Sequence, residues 1–425
     1  MSQQYKKAIL GNGLRIVAHC MPGRQSLALG IWINVGGRYE LGNFKGISHF
    51  LEHLIFKGSK KYSCRKLKES IEGVGGALNG FTSEELTCYL VKIPARHLEL
   101  ALDVLSDMVI NPSLPSQEVE KEKQVILEEI KMYKDQPASY VYELLDKLLW
   151  PNQPLGAPII GTAESVTKIA RGDLNLFKQE YYTPANIVVS AAGLLEFDKL
   201  TKKVARYFLR QKKQNINIFP KVREEQNRAQ LKVFHKDTEQ THMALGFHAF
   251  KREHHLRHAL GILHVILGAN MSSRLFNEVR EKKGLAYEIG TLVKRFHDTG
   301  AFMVHAGIDN RKVPEALKLI LKELQKCRHK PVSANEFRRA KEFYLGQLML
   351  ALEDTLDHML WIGETTAALN KTYSLEDIIK EVTRVKREDV REVAKLIFKK
   401  ENLNLALIGP LKDSEKQIYR QLGID

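Results

Sequence analysis

Residues 46–58, GISHFLEHLIFKG, fit one secondary structure and place chemistry on it. Ile47, Phe50, Leu51, Leu54 and Ile55 recur at the i, i+3, i+4, i+7, i+8 spacing of one buried helical face. Gly58 is where such a helix is expected to stop. At about 100° per residue, His49, Glu52, His53 and Phe56 form a second stripe, off the core-facing one. Imidazoles at i and i+4 lie one above the other, close enough to share a cation, while Glu52 projects from the same turn. A solvated helix face that carries histidines has the same spacing, so a third donor on another rigid element must decide.

The segment 116–137, SQEVEKEKQVILEEIKMYKDQP, offers one. Ser116, after Pro115, reads as an N-cap, and Pro137 stops the helix. Val119, Glu122, Val125, Ile126, Glu129 and Tyr133 fall on one stripe, which puts two carboxylates two turns apart on an apolar face. Burying an unpaired carboxylate costs on the order of several kcal/mol, so acids placed there normally have a cation or proton beside them. A rotated helix would send both to water instead. Glu120, Lys121, Lys123, Glu128 and Lys131 read as ordinary solvated charges.

HFLEH reverses the order of the commoner zinc-peptidase motif and carries the inverzincin spacing. Together with EKEKQVILEEI it resembles the M16 peptidase family, which includes the mitochondrial processing peptidases, pitrilysin and insulin-degrading enzyme. Glu129 and Glu122 stand where that family has its third zinc ligand and a helper glutamate one heptad earlier. The resemblance implies that His49, His53 and Glu129 bind one Zn2+ per chain, with Glu52 as general base and Glu122 as a supporting catalytic acid that orients a histidine or balances charge. Three ligands leave zinc an open position for water, whose proton Glu52 takes during attack on a peptide carbonyl.

GVGGALNGFTSEELTCYLVKIP, 73–94, reads as a glycine-rich turn and a strand, and resembles the family's active-site edge strand. That places Asn79 and Gly80 beside the scissile bond, although a plain strand entry fits the residues equally well. An unfolded peptide would add as a strand along 79–91. The segments 154–166 and 181–193 also resemble the family. LGANMSSRLFNEVREKKGLAYEIG, 267–290, resembles the segment whose arginine and tyrosine contact bound peptide, here Arg280 and Tyr287.

A chain of 425 residues is long enough for two cores. Strand-like runs at 26–35, 187–193, 243–250 and 301–308 alternate with long helical stretches, an α+β pattern. The expected architecture is two homologous-looking α/β sandwich domains, each a mostly antiparallel sheet packed with helices. The polar stretch 210–230 is the linker, dividing a zinc-binding catalytic domain, 1–219, from a non-metal domain, 220–425, that contributes substrate-binding residues. A diverged duplication is legible: 333–360 opens with a Ser333/Glu336 capping box and repeats the helical layout of 116–149. Laid over each other, these segments put Gln347 opposite Glu129 and Ala340 opposite Glu122, and no second HxxEH occurs.

No apolar run approaches the 18 or so residues of a bilayer span, and 1–17 begins a hairpin at once, so no membrane partner or leader is expected. Cys20, Cys64, Cys88 and Cys327 have neither metal nor redox spacing, which suits a cytoplasmic location. The net charge of +15 is spread along the chain, as in 384–400, read as one charged helix face, and no nucleic-acid motif accompanies it. No nucleic-acid partner is expected, and a basic chain is a poor match for arginine-bearing presequences. The activity expected is zinc-dependent endopeptidase action on unfolded peptides. The alternative is a non-catalytic or scaffold partner subunit of a heterodimeric M16-type peptidase. The family's long members carry four such domains and this chain two, which implies a homodimer, or a heterodimer with a related subunit.

Overall fold

The β-branched and small-residue runs form two sheets in the computed structural model, which describes residues 5–211, 218–412 and 414–423. Part of the expected linker, 212–217, lies outside the described residues. In chain order the strands are β1 (Lys6–Ile9), β2 (Arg15–Cys20), β3 (Ser26–Ile33), β4 (Ala77–Thr82), β5 (Thr87–Pro94), β6 (Ile187–Gly193), β7 (Gln230–His235), β8 (Gln240–Ala249), β9 (Ala286–Arg295), β10 (Gly300–Asp309) and β11 (Asn404–Gly409). The first sheet has the order β1-β2-β6-β3-β5-β4 and the second β7-β11-β8-β10-β9. Each is mixed, with one parallel pair, β2 with β6 and β7 with β11, in an otherwise antiparallel sheet. From β2 to β4 and from β7 to β9 the pairing runs parallel, then antiparallel three times, so the two sheets share one plan.

The first half contributes helices α1 (Ile47–Ile55), α2 (Cys64–Glu72), α3 (Leu98–Ile110), α4 (Ser116–Asp135), α5 (Pro137–Leu149), α6 (Ala163–Lys168), α7 (Arg171–Tyr181) and α8 (Phe197–Phe208). The second contributes α9 (Arg257–Gly268), α10 (Val313–His329), α11 (Ala334–Ala351), α12 (Thr355–Leu369), α13 (Leu375–Arg384) and α14 (Arg387–Ile397), with α15 (Glu415–Leu422) after β11. No helix among the described residues is long and apolar enough to cross a membrane. All four cysteines are free.

The chain forms two compact units that are not consecutive halves. One comprises Met1–Lys131, Pro158–Pro220 and Leu348–Ile378; the other comprises Met132–Ala157, Lys221–Gln347 and Ile379–Asp425. The passage at Pro220 to Lys221 falls beside the 219/220 boundary read from sequence, but α5 belongs to the second unit and α12 to the first. Packing explains the exchange. Met359, Ile362 and Ala367 of α12 cover one face of the first sheet, against Val17, Trp32 and Val188. Val141, Leu144 and Leu145 of α5 bury against Ala244, Met303 and Ile408 of the second sheet. The opposite face of the first sheet carries the larger core, into which α1 sends Ile47, Phe50, Leu51, Leu54 and Ile55.

Several local expectations change. The segment 73–94 is a hairpin, because Ser83 turns the chain between β4 and β5: its hydroxyl donates to the Leu86 carbonyl and accepts from the Leu86 N–H. On α4, Val119, Glu122, Ile126 and Ile130 are buried, but Val125 and Tyr133 are 49% and 40% exposed, so they flank the core stripe and do not belong to it. Helix α1 ends at Ile55, three residues before Gly58. The Ser333 hydroxyl accepts the Glu336 N–H, but the Glu336 carboxylate pairs with Arg274, leaving the capping box half formed. The run 384–400 is broken between Arg384 and Arg387, and α14 buries Val390, Val393, Ala394 and Ile397.

Candidate metal centre

Helix α1 begins at Gly46, whose left-handed backbone (φ 91°) carries no side chain that could cap it. The cap comes from outside the helix: the buried Glu40 carboxylate accepts the N–H of Gly46 at 2.7 Å and of Ser48 at 2.8 Å. This satisfies orphan N–H groups at the start of the helix. One turn on, the His49 and His53 rings stand 4.4 Å apart.

Glu129 of α4 faces both. Its Oε2 lies 4.0 Å from His49 Nε2 and 3.8 Å from His53 Nε2, and one donor atom from each residue falls within 4.8 Å of the others. No other group of three His, Cys, Asp or Glu donors among the described residues comes this close. Tetrahedral zinc with bonds of about 2.0–2.1 Å needs donors roughly 3.4 Å apart, and both imidazole-to-carboxylate separations lie within about 0.6 Å of that. Two nitrogens and a carboxylate oxygen are a zinc-type donor set.

The electrostatics favour a cation. Burial, with the neighbouring His53 adding to it and Glu122 opposing, pushes His49 down to about 3, so its imidazole is neutral at pH 7 with a lone pair to offer. Burial raises Glu129, and the charge of Glu122 adds to it. Burial also raises Glu52, and Glu129 adds to it, against the opposing effects of His53 and a hydrogen bond from Thr82. For His53, burial acts downward but is outweighed by the hydrogen bond to Glu122 and the charges of Glu52, Glu129 and Glu122.

Glu122 is 5% exposed and has a partner for each oxygen: Oε1 lies 2.9 Å from His53 Nδ1, and Oε2 lies 2.5 Å from Lys57 Nζ. Burial would raise Glu122, yet these two bonds hold it below the usual carboxylate range. An ionised Glu122 has no proton to give, so Nδ1 of His53 carries the hydrogen, and in the neutral ring the lone pair lies on Nε2, facing Glu129. Nδ1 of His49 is buried with no hydrogen-bond partner among the described residues.

Edge strand β4 lies beside α1. Leu78, Gly80 and Thr82 alternate half-buried with exposed Ala77, Asn79 and Phe81. On the half-buried face a Cβ at Gly80 would stand 2.9 Å from the Phe56 ring, and the Thr82 hydroxyl donates to Glu52 Oε2 at 3.1 Å. The Asn79 side-chain oxygen accepts the Gly80 N–H. In the second unit, Arg280 and Tyr287 meet each other: the guanidinium lies 4.6 Å from the Phe276 ring and 5.7 Å from that of Tyr287, which is 75% exposed.

Glu40, Lys57 and Thr82 escaped the sequence reading. Lys57 is i+4 from His53, so its stripe was legible; Thr82 shares the parity of Gly80 but needed the strand's facing; Glu40 left no local signal.

The chain, with two mixed sheets on one plan and a His-His-Glu cluster on facing helices of the first unit, belongs to the M16 peptidase family. Residues 15–163 match the family model described as Insulinase (Peptidase family M16), and 168–344 match the one described as Peptidase M16 inactive domain. An uncharacterised zinc protease of Bacillus subtilis is 37% identical over 406 residues, 95% of this chain and 98% of the relative. Another, of Streptomyces coelicolor, is 34% identical over 418 residues, 96% of this chain and 90% of the relative. A solved protease from Helicobacter pylori has the same fold, with a TM-score of 0.89 at 24% identity over 96% of this chain and all of that one.

Proposed function

We propose that the protein is a zinc-dependent endopeptidase that cleaves unfolded oligopeptides. The observation that carries this reading is the convergence of His49, His53 and Glu129 beside the buried Glu52. These three residues would hold one zinc ion per chain, and the metal supplies Lewis acidity that polarises the scissile carbonyl and acidifies an attacking water.

The chain's own residues do the rest. Glu122 keeps the proton of His53 on Nδ1 and the ring in place. Glu52 takes the proton of the attacking water as the new C–O bond forms, and returns it to the amine nitrogen as the C–N bond breaks. The open edge of β4 around Gly80, next to Asn79, offers main-chain groups to a peptide strand, a mode that rewards extended substrates and spares folded ones. By the family resemblance, Arg280 and Tyr287 would also contact peptide.

The test pairs metal analysis with a quenched-peptide assay, with and without chelator. About one zinc per chain is expected, with turnover lost on chelation and regained with zinc. Glu129→Gln should lose metal and activity together. Glu52→Gln should keep the metal and lose most turnover. Full zinc occupancy without any hydrolysis by the wild type would favour the non-catalytic subunit instead.

A further inference from the structure

Two features of β4 meet at one residue. Its Gly80 N–H is taken up by Asn79 Oδ1, so it faces away from β5. In an antiparallel ladder the main-chain groups on one side recur at every second residue. Thr82 therefore turns its N–H and C=O to the same open edge as Gly80, while its hydroxyl reaches inward to Glu52 Oε2 at 3.1 Å.

The two ends of this hydrogen bond are fixed from one place. The Arg38 N–H donates to the Glu84 carbonyl at 2.7 Å, and the Arg38 guanidinium pairs with Glu85 at 2.7 Å, which pins the β4–β5 turn next to Thr82. Two residues beyond Arg38, Glu40 holds the first turn of the helix that bears Glu52. The loop 36–40 thus sets the separation of strand edge and helix, and Thr82 spans it.

We propose that Thr82 is a positioning residue that couples the substrate-binding strand edge to the general base: its hydroxyl holds Glu52 Oε2 and leaves Oε1 to receive the proton. A peptide added to β4 presses on the main chain of the same residue whose side chain aims the base, so strand addition and base alignment become one event. This inference rests on the peptidase reading and adds to it a residue that acts through the general base.

The experiment uses Thr82→Val, which keeps the β-branched shape and removes only the hydroxyl, and Thr82→Ser, which keeps the hydroxyl. With the zinc-loaded full chain and a quenched peptide, Thr82→Val is expected to lower kcat about tenfold with little change in KM, and Thr82→Ser to recover most of that loss. Zinc affinity by chelator competition and the melting temperature should stay at wild-type values in both. In a Glu52→Gln background, adding Thr82→Val should cost nothing further in turnover and leave the Kd for uncleaved peptide unchanged. Equal kcat for the valine and wild-type proteins, a loss confined to KM, or the same tenfold loss repeated in the Glu52→Gln background would each overturn the assignment. Wild-type protein that loads zinc but hydrolyses no peptide is a failure of the peptidase reading and takes this inference with it; intact wild-type turnover with any of the three overturning results is a failure of this inference alone.

Discussion

A carboxylate sealed from water holds the start of the ligand helix, and its position makes a pH prediction. Burial raises Glu40 from 4.5 to about 7 against the opposing backbone bonds from Ser48 and Gly46. Because the folded value lies above the unfolded one, the proton on Glu40 favours the folded state. That contribution is complete below pH about 4.5 and is lost as pH rises towards 7, on the order of 3 kcal/mol in all. Glu40→Gln cannot titrate, so denaturant unfolding from pH 4.5 to 7 should show wild type losing stability relative to the variant; parallel pH profiles would rule Glu40 out as the source. Glu122 makes the second residue-scale prediction. Glu122→Gln can no longer accept from both His53 and Lys57, and zinc affinity measured by chelator competition should fall about 10–100-fold. Helical spacing alone gathers His49, Glu52 and His53 on one stripe, whereas Glu129 enters the candidate site through the family resemblance as well as its place on the second helix. Glu40 and Thr82 act through contacts between separate elements, which no local period encodes.

At the scale of elements, glycine decides which sheet a helix can lie on. A Cβ at Gly363 of α12 would stand 2.1 Å from the Trp32 indole nitrogen, and one at Gly30 of β3 would stand 2.6 Å from Met359 Sδ. On the second sheet Gly246 of β8 receives Leu145 of α5 in the corresponding way, at 3.0 Å. Trp32 is 1% exposed and its Nε1–H is committed to Ser190 Oγ at 2.8 Å, so it has little room to yield. Gly363→Ala should therefore destabilise by about 1–3 kcal/mol, since overpacking outweighs the helix propensity gained, about 1 kcal/mol. Gly346, inside α11, has nothing within 4 Å of its would-be Cβ. There the same substitution should stabilise by up to about 1 kcal/mol. Urea unfolding of the two variants should give opposite signs, and equal signs would refute the packing argument. The strands and most helices were legible because their periods are strong. The crossing of α5 and α12 into opposite units was not, because a helix's apolar face does not say which sheet will cover it. Pro137 and Asp354 mark only where each crossing helix starts.

At the scale of the whole molecule, the net charge of +15 does not describe the site, where Glu129 lies against His49 and His53, and Glu122 lies between His53 and Lys57. Among the described residues the metal cluster lies on the first unit, and the Arg280–Tyr287 pair lies on the second. A homodimer, one of the two assemblies that the family resemblance implies, would make a specific claim about them: Arg280 and Tyr287 of one chain serve the peptide held at the zinc cluster of its partner. C2 assembly of identical chains would build two such composite sites. The claim is checked by mixing Glu52→Gln and Tyr287→Phe chains, each expected to be strongly impaired alone. After random exchange half of the dimers are mixed, and each mixed dimer holds one site with both residues intact, so about a quarter of wild-type sites should return. If Tyr287 served its own chain's cluster, every site would keep one defect and nothing would be regained. Recovery that rises with verified subunit exchange and saturates near a quarter supports the shared site. Full activity from a chain monomeric at the assay concentration, or no recovery after exchange is shown to be complete, sinks it.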